Sequence, residues 1–547
     1  MTATPALATP TGTDRGGTFT GTWTLVRFLL RRDRARLPAW AIGLGLFIVY
    51  LAAALPQVAE TEEELRGTTE LFHDPVGRML TGPGYGFDAP TFERFVANGY
   101  GLYLLILAAL MSILLVVRHT RVEEQTGRAE LVLANVVGRH AGLAATLIVV
   151  AISNLAVALA VFVSMVGVGG FGAGGSALFA AGLIVTGLAF AGLTTITVQL
   201  SEYSRAAAGM AGAMLGAAFV IRAGGDMAEV GGNALSWFSP LAWAQQTAPF
   251  VLDRWWPLIL PLVFAVLTAA VGVRLASRRD LSASLVAVRP GRPAASASLG
   301  TPLGLAWRLQ RASVIGWSSS LAVAGVVFGA YADPLLGAMD DLPEVFLELF
   351  GAEDLLTGYL AYMAVYMAYF VGAYAILAVQ GLRAEEIRGR AGPVLATPVS
   401  RWAWLGANLA VTAGAVLAMS VVVGIATGIG VAIVTGDGAH IGELAVAHLT
   451  HAPAVLVVLG VAVLLFGLLP RAIPVTWALV GYGLFAGTFG AMLDLPAAAL
   501  GVSPFEHAAG VPLEPFEVAP VVVLTAIAAT TVTVGLLAFR RRDVEVT

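Results

Sequence analysis

Long apolar runs separated by short polar segments fill most of the chain. A helix needs roughly 20 apolar residues to cross a bilayer, and twelve runs approach or exceed that length, at about 38–57, 98–117, 141–168, 177–198, 207–223, 256–274, 313–332, 359–380, 403–434, 452–469, 472–493 and 518–539. Helices satisfy all of their own backbone hydrogen bonds within lipid. The pattern therefore predicts an all-α polytopic membrane protein with twelve transmembrane helices.

The distribution of arginine predicts the orientation of these spans. One side holds 26 of the 31 basic residues, all of them arginine, and the other side holds Arg66, Arg78, Arg94, Arg222 and Arg254. By the positive-inside rule the arginine-rich side is cytoplasmic, together with both termini, and the chain lies in the inner (plasma) membrane of the cell. The opposite side is acidic, which indicates either solvated loops or steering of cationic solutes; its carboxylates include Glu60, Glu62, Glu63, Glu64, Asp340, Asp341, Glu353 and Asp354.

The two sets of six spans repeat each other. Residues 121–139 match residues 383–401 at 11 of 19 positions without a gap, at an offset of 262. Two further pairs follow in the same order at offsets of 266 and 264, Arg205-Ala206 with Arg471-Ala472 and Ser239-Pro240 with Ser503-Pro504. Three anchors at nearly one offset predict two fused six-helix repeats.

Composition and repetition together predict the domain boundaries. We expect a disordered cytoplasmic leader at 1–22, a first six-span half at 23–280, a cytoplasmic linker at 281–301 and a second six-span half at 302–547. Each half begins with a basic amphipathic stretch, 23–36 and 303–311, of the kind that lies in the membrane interface.

A polar loop follows the second span of each half, at 118–140 and at 382–402; we call these the first and the second repeated loop. Each contains two acids, a glycine and a short apolar helix that ends in arginine: Glu123, Glu124, Gly127 and Arg139 in the first loop, and Glu385, Glu386, Gly389 and Arg401 in the second. A short helix across the ends of two spans can dock on a soluble partner and transmit a rigid-body movement. The alternative is a membrane-interface helix without a partner.

The second repeated loop resembles the EE…G…PVSR segment of permeases in the type-2 ABC exporter superfamily. The likeness rests on Glu385-Glu386, Gly389 and the run from Pro398 to Arg401. The first loop departs from the pattern, with Asn-Val-Val-Gly at 135–138 in place of Thr-Pro-Val-Ser. The fused twelve-span layout and the stretch Gly77–Pro83 resemble actinobacterial permeases for polyketide antibiotics of the tetronasin type.

This resemblance implies a transporter subunit driven by a separate ABC ATPase, in two copies, which binds ATP and Mg. The chain itself contains no lysine. A phosphate-binding loop of the GxxxxGK[ST] type requires one, so we expect no such ATPase site here, and the permease is not an enzyme. We predict no cofactor of its own and no nucleic-acid partner.

The resemblance also implies a substrate pathway lined by the second and fifth spans of each half. Aromatic and methionine side chains there suit a hydrophobic antibiotic or drug. The candidates are Tyr362, Tyr366, Tyr369, Phe370, Trp477, Tyr482, Phe485, Phe489, Met210 and Met214. The alternative is that these side chains serve helix packing or lie in the membrane interface.

Other function classes stay open with less support. A proton-coupled twelve-span transporter needs ionisable groups inside its spans, and the predicted spans hold almost none. A lipid or glycolipid ABC exporter permease and a membrane enzyme or scaffold are further alternatives. His440, Glu443, His448 and His451 would share roughly one helix face before the tenth span. A zinc site needs three or four such ligands that converge, but interfacial histidines are the more frequent explanation, and we predict no metal.

Overall fold

The computed structural model describes residues 17–59, 62–280, 283–286, 293–337, 354–490 and 495–543. Every regular element in these ranges is helical. Several predictions fall outside the described residues: the leader up to residue 16, residues 281–282 and 287–292 of the linker, and the acids Glu60, Asp340, Asp341 and Glu353. The side chains of Glu62, Glu63 and Glu64 lie outside the description as well.

Eleven helices in the described residues are long and apolar enough to cross a membrane. In the first half they are Arg36–Pro56, Phe92–Gln125, Ala141–Gly167, Ala173–Leu200, Ser204–Ala228 and Trp256–Ala276. In the second half they are Pro302–Ala330, Leu355–Ile387, Arg401–Thr435, His440–Leu468 and Val518–Arg541. The prediction of an all-α polytopic membrane protein is confirmed.

The predicted span at 472–493 has a different form. A 3-10 segment, Pro470–Thr476, precedes a helix of 13 residues, Trp477–Phe489. A regular helix that began at Pro470 would carry Pro474 beyond its first turn, where the proline removes a backbone hydrogen bond and clashes with the preceding turn. The helix is shorter than a bilayer requires, and the twelve-helix layout of two repeats stays a prediction.

The chain divides into two compact units, Met1–Pro290 and Gly291–Thr547. Inside each unit the first span packs on the third, the second on the fourth and the fourth on the sixth. Small residues allow close approach of membrane helices. Gly192 and Gly467, both in the fourth span of their unit, lie against backbone atoms of the sixth span.

The two units begin differently. In the first unit the helix Thr22–Arg32 is separate from the first span, and its Val26 and Leu29 pack on the third span. The separation falls at Asp33, a buried carboxylate that contacts Arg118 (3.2 Å) and His119 (2.8 Å). In the second unit the predicted interfacial stretch at 303–311 continues into the first span as one helix, Pro302–Ala330.

Candidate functional site

The two repeated loops share one backbone design. In each, the helix of the second span runs through the paired acids, as Phe92–Gln125 and Leu355–Ile387. Gly127 (φ 72°) and Gly389 (φ 69°) then take the left-handed conformation, which favours glycine. The short helices Arg128–Leu133 and Ala391–Leu395 follow. The predicted glycine is therefore the turn between the span and the short helix.

The second acid of each pair binds arginines of its own unit. Glu124 accepts hydrogen bonds from Arg121 (2.8 Å) and from Arg279 (2.9 Å), which follows the sixth span. We call Arg121, Glu124 and Arg279 the first brace. The two carboxylates are largely buried, with side-chain exposures of 11% for Glu124 and 1% for Glu386.

The second brace has the same composition. It consists of Arg383, Glu386 and Arg542, and Arg542 also follows the sixth span of its unit. Glu386 lies 3.0 Å from Arg383 and 2.9 Å from Arg542. The brace arginines Arg279 and Arg542 were not among the predicted site residues. Their offset of 263 nearly equals that of the loops, which is the sequence signal that points to them.

The arginine at the far end of each loop binds backbone carbonyls at the end of the same sixth span. Arg139 donates to the Ser277 carbonyl (2.6 Å), and Arg401 donates to the Arg540 carbonyl (3.1 Å). A cation stabilises the carbonyl end of a helix through hydrogen bonds and the helix dipole. The short helices end at Leu133 and Leu395, six residues before these arginines and not at them as predicted. The loop on both sides of each short helix, rather than the helix itself, thus contacts the end of the sixth span.

The first acid of each pair has a different kind of partner in each loop. Glu123 contacts Arg32 of the helix Thr22–Arg32 at 2.6 Å. Glu385 contacts the exposed Arg390 of its own loop at 3.1 Å. Glu123 and Glu385 therefore have different partners in the two units, whereas the brace glutamates Glu124 and Glu386 have matching ones.

The first repeated loop also presents apolar surface. Leu131 and Val136 are 72% and 83% exposed, and Leu133 is exposed as well. A cavity of about 360 Å³ lies beside them, lined by Phe28, Val132, Leu133 and Arg139 among others. An apolar patch next to a recess fits contact with another molecule.

Two predicted pathway tyrosines pack inside the second unit. The Tyr369 hydroxyl donates to the Gly483 carbonyl (2.9 Å), and its ring lies 4.6 Å from that of Phe505. The Tyr362 hydroxyl lies 3.3 Å from the Thr488 hydroxyl. These contacts join the second span to the helix Trp477–Phe489, as the packing alternative expects.

Four of the remaining pathway candidates are exposed and three are half-buried. Tyr366 lies between Tyr362 (6.3 Å) and Phe370 (5.5 Å), and Phe370 is exposed. Phe485, Trp477 and Met214 are also exposed, Met210 is half-buried, and the Tyr482 hydroxyl donates to the Ala499 carbonyl (2.6 Å). The Phe489 side chain lies outside the description. A role in substrate passage stays a prediction for all of them.

The histidine group does not converge. His440 lies 3.4 Å from Glu443, and both are accessible, whereas His448 and His451 are buried in the helix. Among the described residues there is no group of three or more His, Cys, Asp or Glu side chains that could hold a metal ion.

A buried ion pair lies in the fifth span of the first unit. Arg222 contacts Asp226 at 3.0 Å, and both side chains are fully buried. Asp226 also accepts a hydrogen bond from the Ser236 hydroxyl (2.6 Å), and Arg78 donates to the Asp226 carbonyl (2.9 Å). The predicted span ended at 223, but the helix runs to Ala228. The sequence places Arg222 near the outer end of this span, and the longer helix adds Asp226 at the same end.

Two comparisons with known proteins bear on this arrangement. The sequence profile of the family "Multidrug efflux system permease Rv1217c, C-terminal domain" matches residues 24–275 and 299–540. The multidrug efflux system permease protein Rv1217c of Mycobacterium tuberculosis (strain ATCC 25618 / H37Rv) is 34% identical over 541 residues, which cover 97% of this chain and 96% of the relative. The chain belongs to this family of membrane permeases.

Proposed function

We propose that the chain is the membrane-spanning subunit of a type-2 ABC exporter that extrudes hydrophobic antibiotics or drugs. Two copies of a separate ATPase, which binds ATP and Mg, power it from the cytoplasmic side. The observation that carries the proposal is the pair of repeated loops on the arginine-rich side, each with a short helix whose flanking residues contact the end of the sixth span. The multidrug efflux relative supports the class of substrate.

Docking requires a surface that a partner can cover. Leu131 and Val136 supply it in the first loop, and burial of each contributes about 1.5–3 kcal/mol. The adjoining cavity gives the partner a recess to fill. Because the loop contacts the sixth span on both sides of the short helix, a push on the helix is passed to the span.

The docking surface is tested by the double variant Leu131→Ser with Val136→Ser. We expect the ATPase recovered with the purified permease to fall at least about tenfold, since two apolar anchors are lost. Val230→Ser, an exposed valine beyond the other end of the fifth span, is the matched control and leaves recovery unchanged. Equal recovery from the double variant and the control contradicts docking at this loop.

The energy source is tested in inside-out vesicles. We expect drug uptake to require ATP, to stop with vanadate and to persist when a protonophore collapses the proton gradient. Uptake in ATP-free vesicles driven by a proton gradient contradicts the proposal.

A proton-coupled transporter is the second candidate, and the buried Arg222–Asp226 pair is the observation that favours it. Ionisable groups inside spans mark proton relays in many transporters. Under this candidate Asp226→Asn abolishes uptake driven by a proton gradient. Under the ATP-driven proposal no such uptake exists to lose, so the wild-type measurement separates the two.

A further inference from the structure

The two braces are built alike in two separately folded units. In each, a glutamate in the last turns of the second span binds one arginine three residues earlier and one arginine just after the sixth span. Ion pairs with this low exposure are stronger than surface pairs, because little water screens them. The carboxylates therefore point into the unit and not toward a partner.

Each brace also reaches the fourth span. In the first unit Arg279 donates to the side chain of Gln199, near the end of the helix Ala173–Leu200. In the second unit the Arg542 guanidinium lies 5.4 Å from the ring of Phe466, near the end of the fourth span. The first contact is a hydrogen bond to Gln199 and the second is a cation–ring contact with Phe466, but both join the brace to the end of the fourth span. Each brace thus joins the ends of the second, fourth and sixth spans, with the arginine after the sixth span making the contact to the fourth.

We infer that Glu124 and Glu386 are positioning residues that make these three spans move as one body when the short helix is displaced. This inference rests on the proposed function, because it assigns to the braces the transmission of the movement that the ATPase starts. The short helix makes the contact with the partner, and the brace passes the displacement to the spans. Without the carboxylate the second span loses this direct contact with the sixth and stays joined to it through the fourth.

Glu386→Gln tests the inference, since glutamine keeps the shape and removes the charge. We expect the variant to bind the ATPase as the wild type does. Drug transport per permease molecule and stimulation of the ATPase by drug each fall about tenfold, the equivalent of one charged hydrogen bond. Glu517→Gln, the same change at an exposed site before the sixth span, is the matched control.

The outcomes are distinguishable. A brace that serves stability alone lowers the amount of permease in the membrane but leaves transport per molecule unchanged, and this result overturns the inference. If the wild-type permease recovers no ATPase, the proposed function fails instead, before any variant is compared.

A second measurement uses a covalent link in place of the ion pair. The chain has no cysteine, so Glu386→Cys with Arg542→Cys introduces the only two thiols. We expect a short bis-methanethiosulfonate linker to raise transport of this double variant, and a reductant to reverse the gain. A monofunctional methanethiosulfonate is the control. No rise in transport after confirmed cross-linking overturns the inference.

Discussion

The first and second repeated loops have the same braces but different surroundings. The first loop contacts the segment at the start of its unit: Gly138 N–H donates to the Thr20 carbonyl (2.9 Å), and His140 N–H donates to the Thr18 carbonyl (3.0 Å). The second loop has no such contact among the described residues, and Ser400 instead caps the next helix by accepting from Ala403 N–H (3.1 Å). The contacts within the bundle are common to both units, whereas the contacts at its edge are particular to each.

This difference explains where the first loop departs from the expected sequence. A side chain on Gly138 would clash with the backbone of Gly17 and Thr18, so the position that carries serine in the second loop carries glycine in the first. Asp33 and a π-helical turn at Arg118–Val122 are likewise found in the first unit, while the corresponding helix of the second unit is regular. The first loop is thus specialised for contact with the amino-terminal segment.

Asp33→Ala removes a feature that distinguishes the first unit, and it has the largest expected effect on stability. It leaves Arg118 and His119 without their buried carboxylate, and losing one partner of a buried pair costs about 3–5 kcal/mol. Thermal unfolding of the purified permease measures the loss. Asp280→Ala, at an exposed aspartate, is the control. Equal stability of the two variants contradicts a structural role for Asp33.

Gly138→Ser makes the first loop resemble the second and has the next largest expected effect. The added side chain displaces residues 17–20 from the loop, at a cost of about 2 kcal/mol. Gly142→Ser is the control, because space is open around that glycine. Faster proteolysis near residue 20 in Gly138→Ser alone is the expected readout. Indistinguishable digestion of the two variants would show that the loop tolerates the side chain.

Ser400→Ala has the smallest expected effect. It removes the helix cap of the second loop, which contributes about 1 kcal/mol. Ser400→Thr keeps the hydroxyl and is expected to retain most of the stability. Thermal unfolding of Ser400→Ala and Ser400→Thr measures what the cap contributes. The first loop has no such cap, because the matching residue is Gly138. A larger loss of thermal stability in Ser400→Ala than in Gly138→Ser contradicts the expected order of the two effects.

The spans and the repeated loops could be predicted from the sequence because both are local patterns. The spans follow from apolar runs, and the short helices follow from a glycine between acids and an apolar stretch. The helix Pro302–Ala330 was not foreseen as one piece, because a basic stretch before a span has the same composition whether it lies in the interface or extends the helix.

The contacts that hold the loops could not be predicted from the sequence, because they join distant parts of the chain. Glu124 and Arg279 are 155 residues apart, and no local pattern pairs them. Asp226 was missed because glycines after Arg222 weaken the apolar run, although the helix continues to Ala228. Tyr362, Tyr366 and Tyr369 in the second span of the second unit could be identified from the sequence. Which of them pack and which stay accessible depends on the neighbouring helix.

Each brace closes within its own unit, and this bears on how such a gene can be divided. Cutting the polypeptide between Pro290 and Gly291 removes no contact of either brace, because Arg279 and Arg542 stay with their own glutamates. Two half-length polypeptides produced from one messenger RNA are expected to yield a working permease.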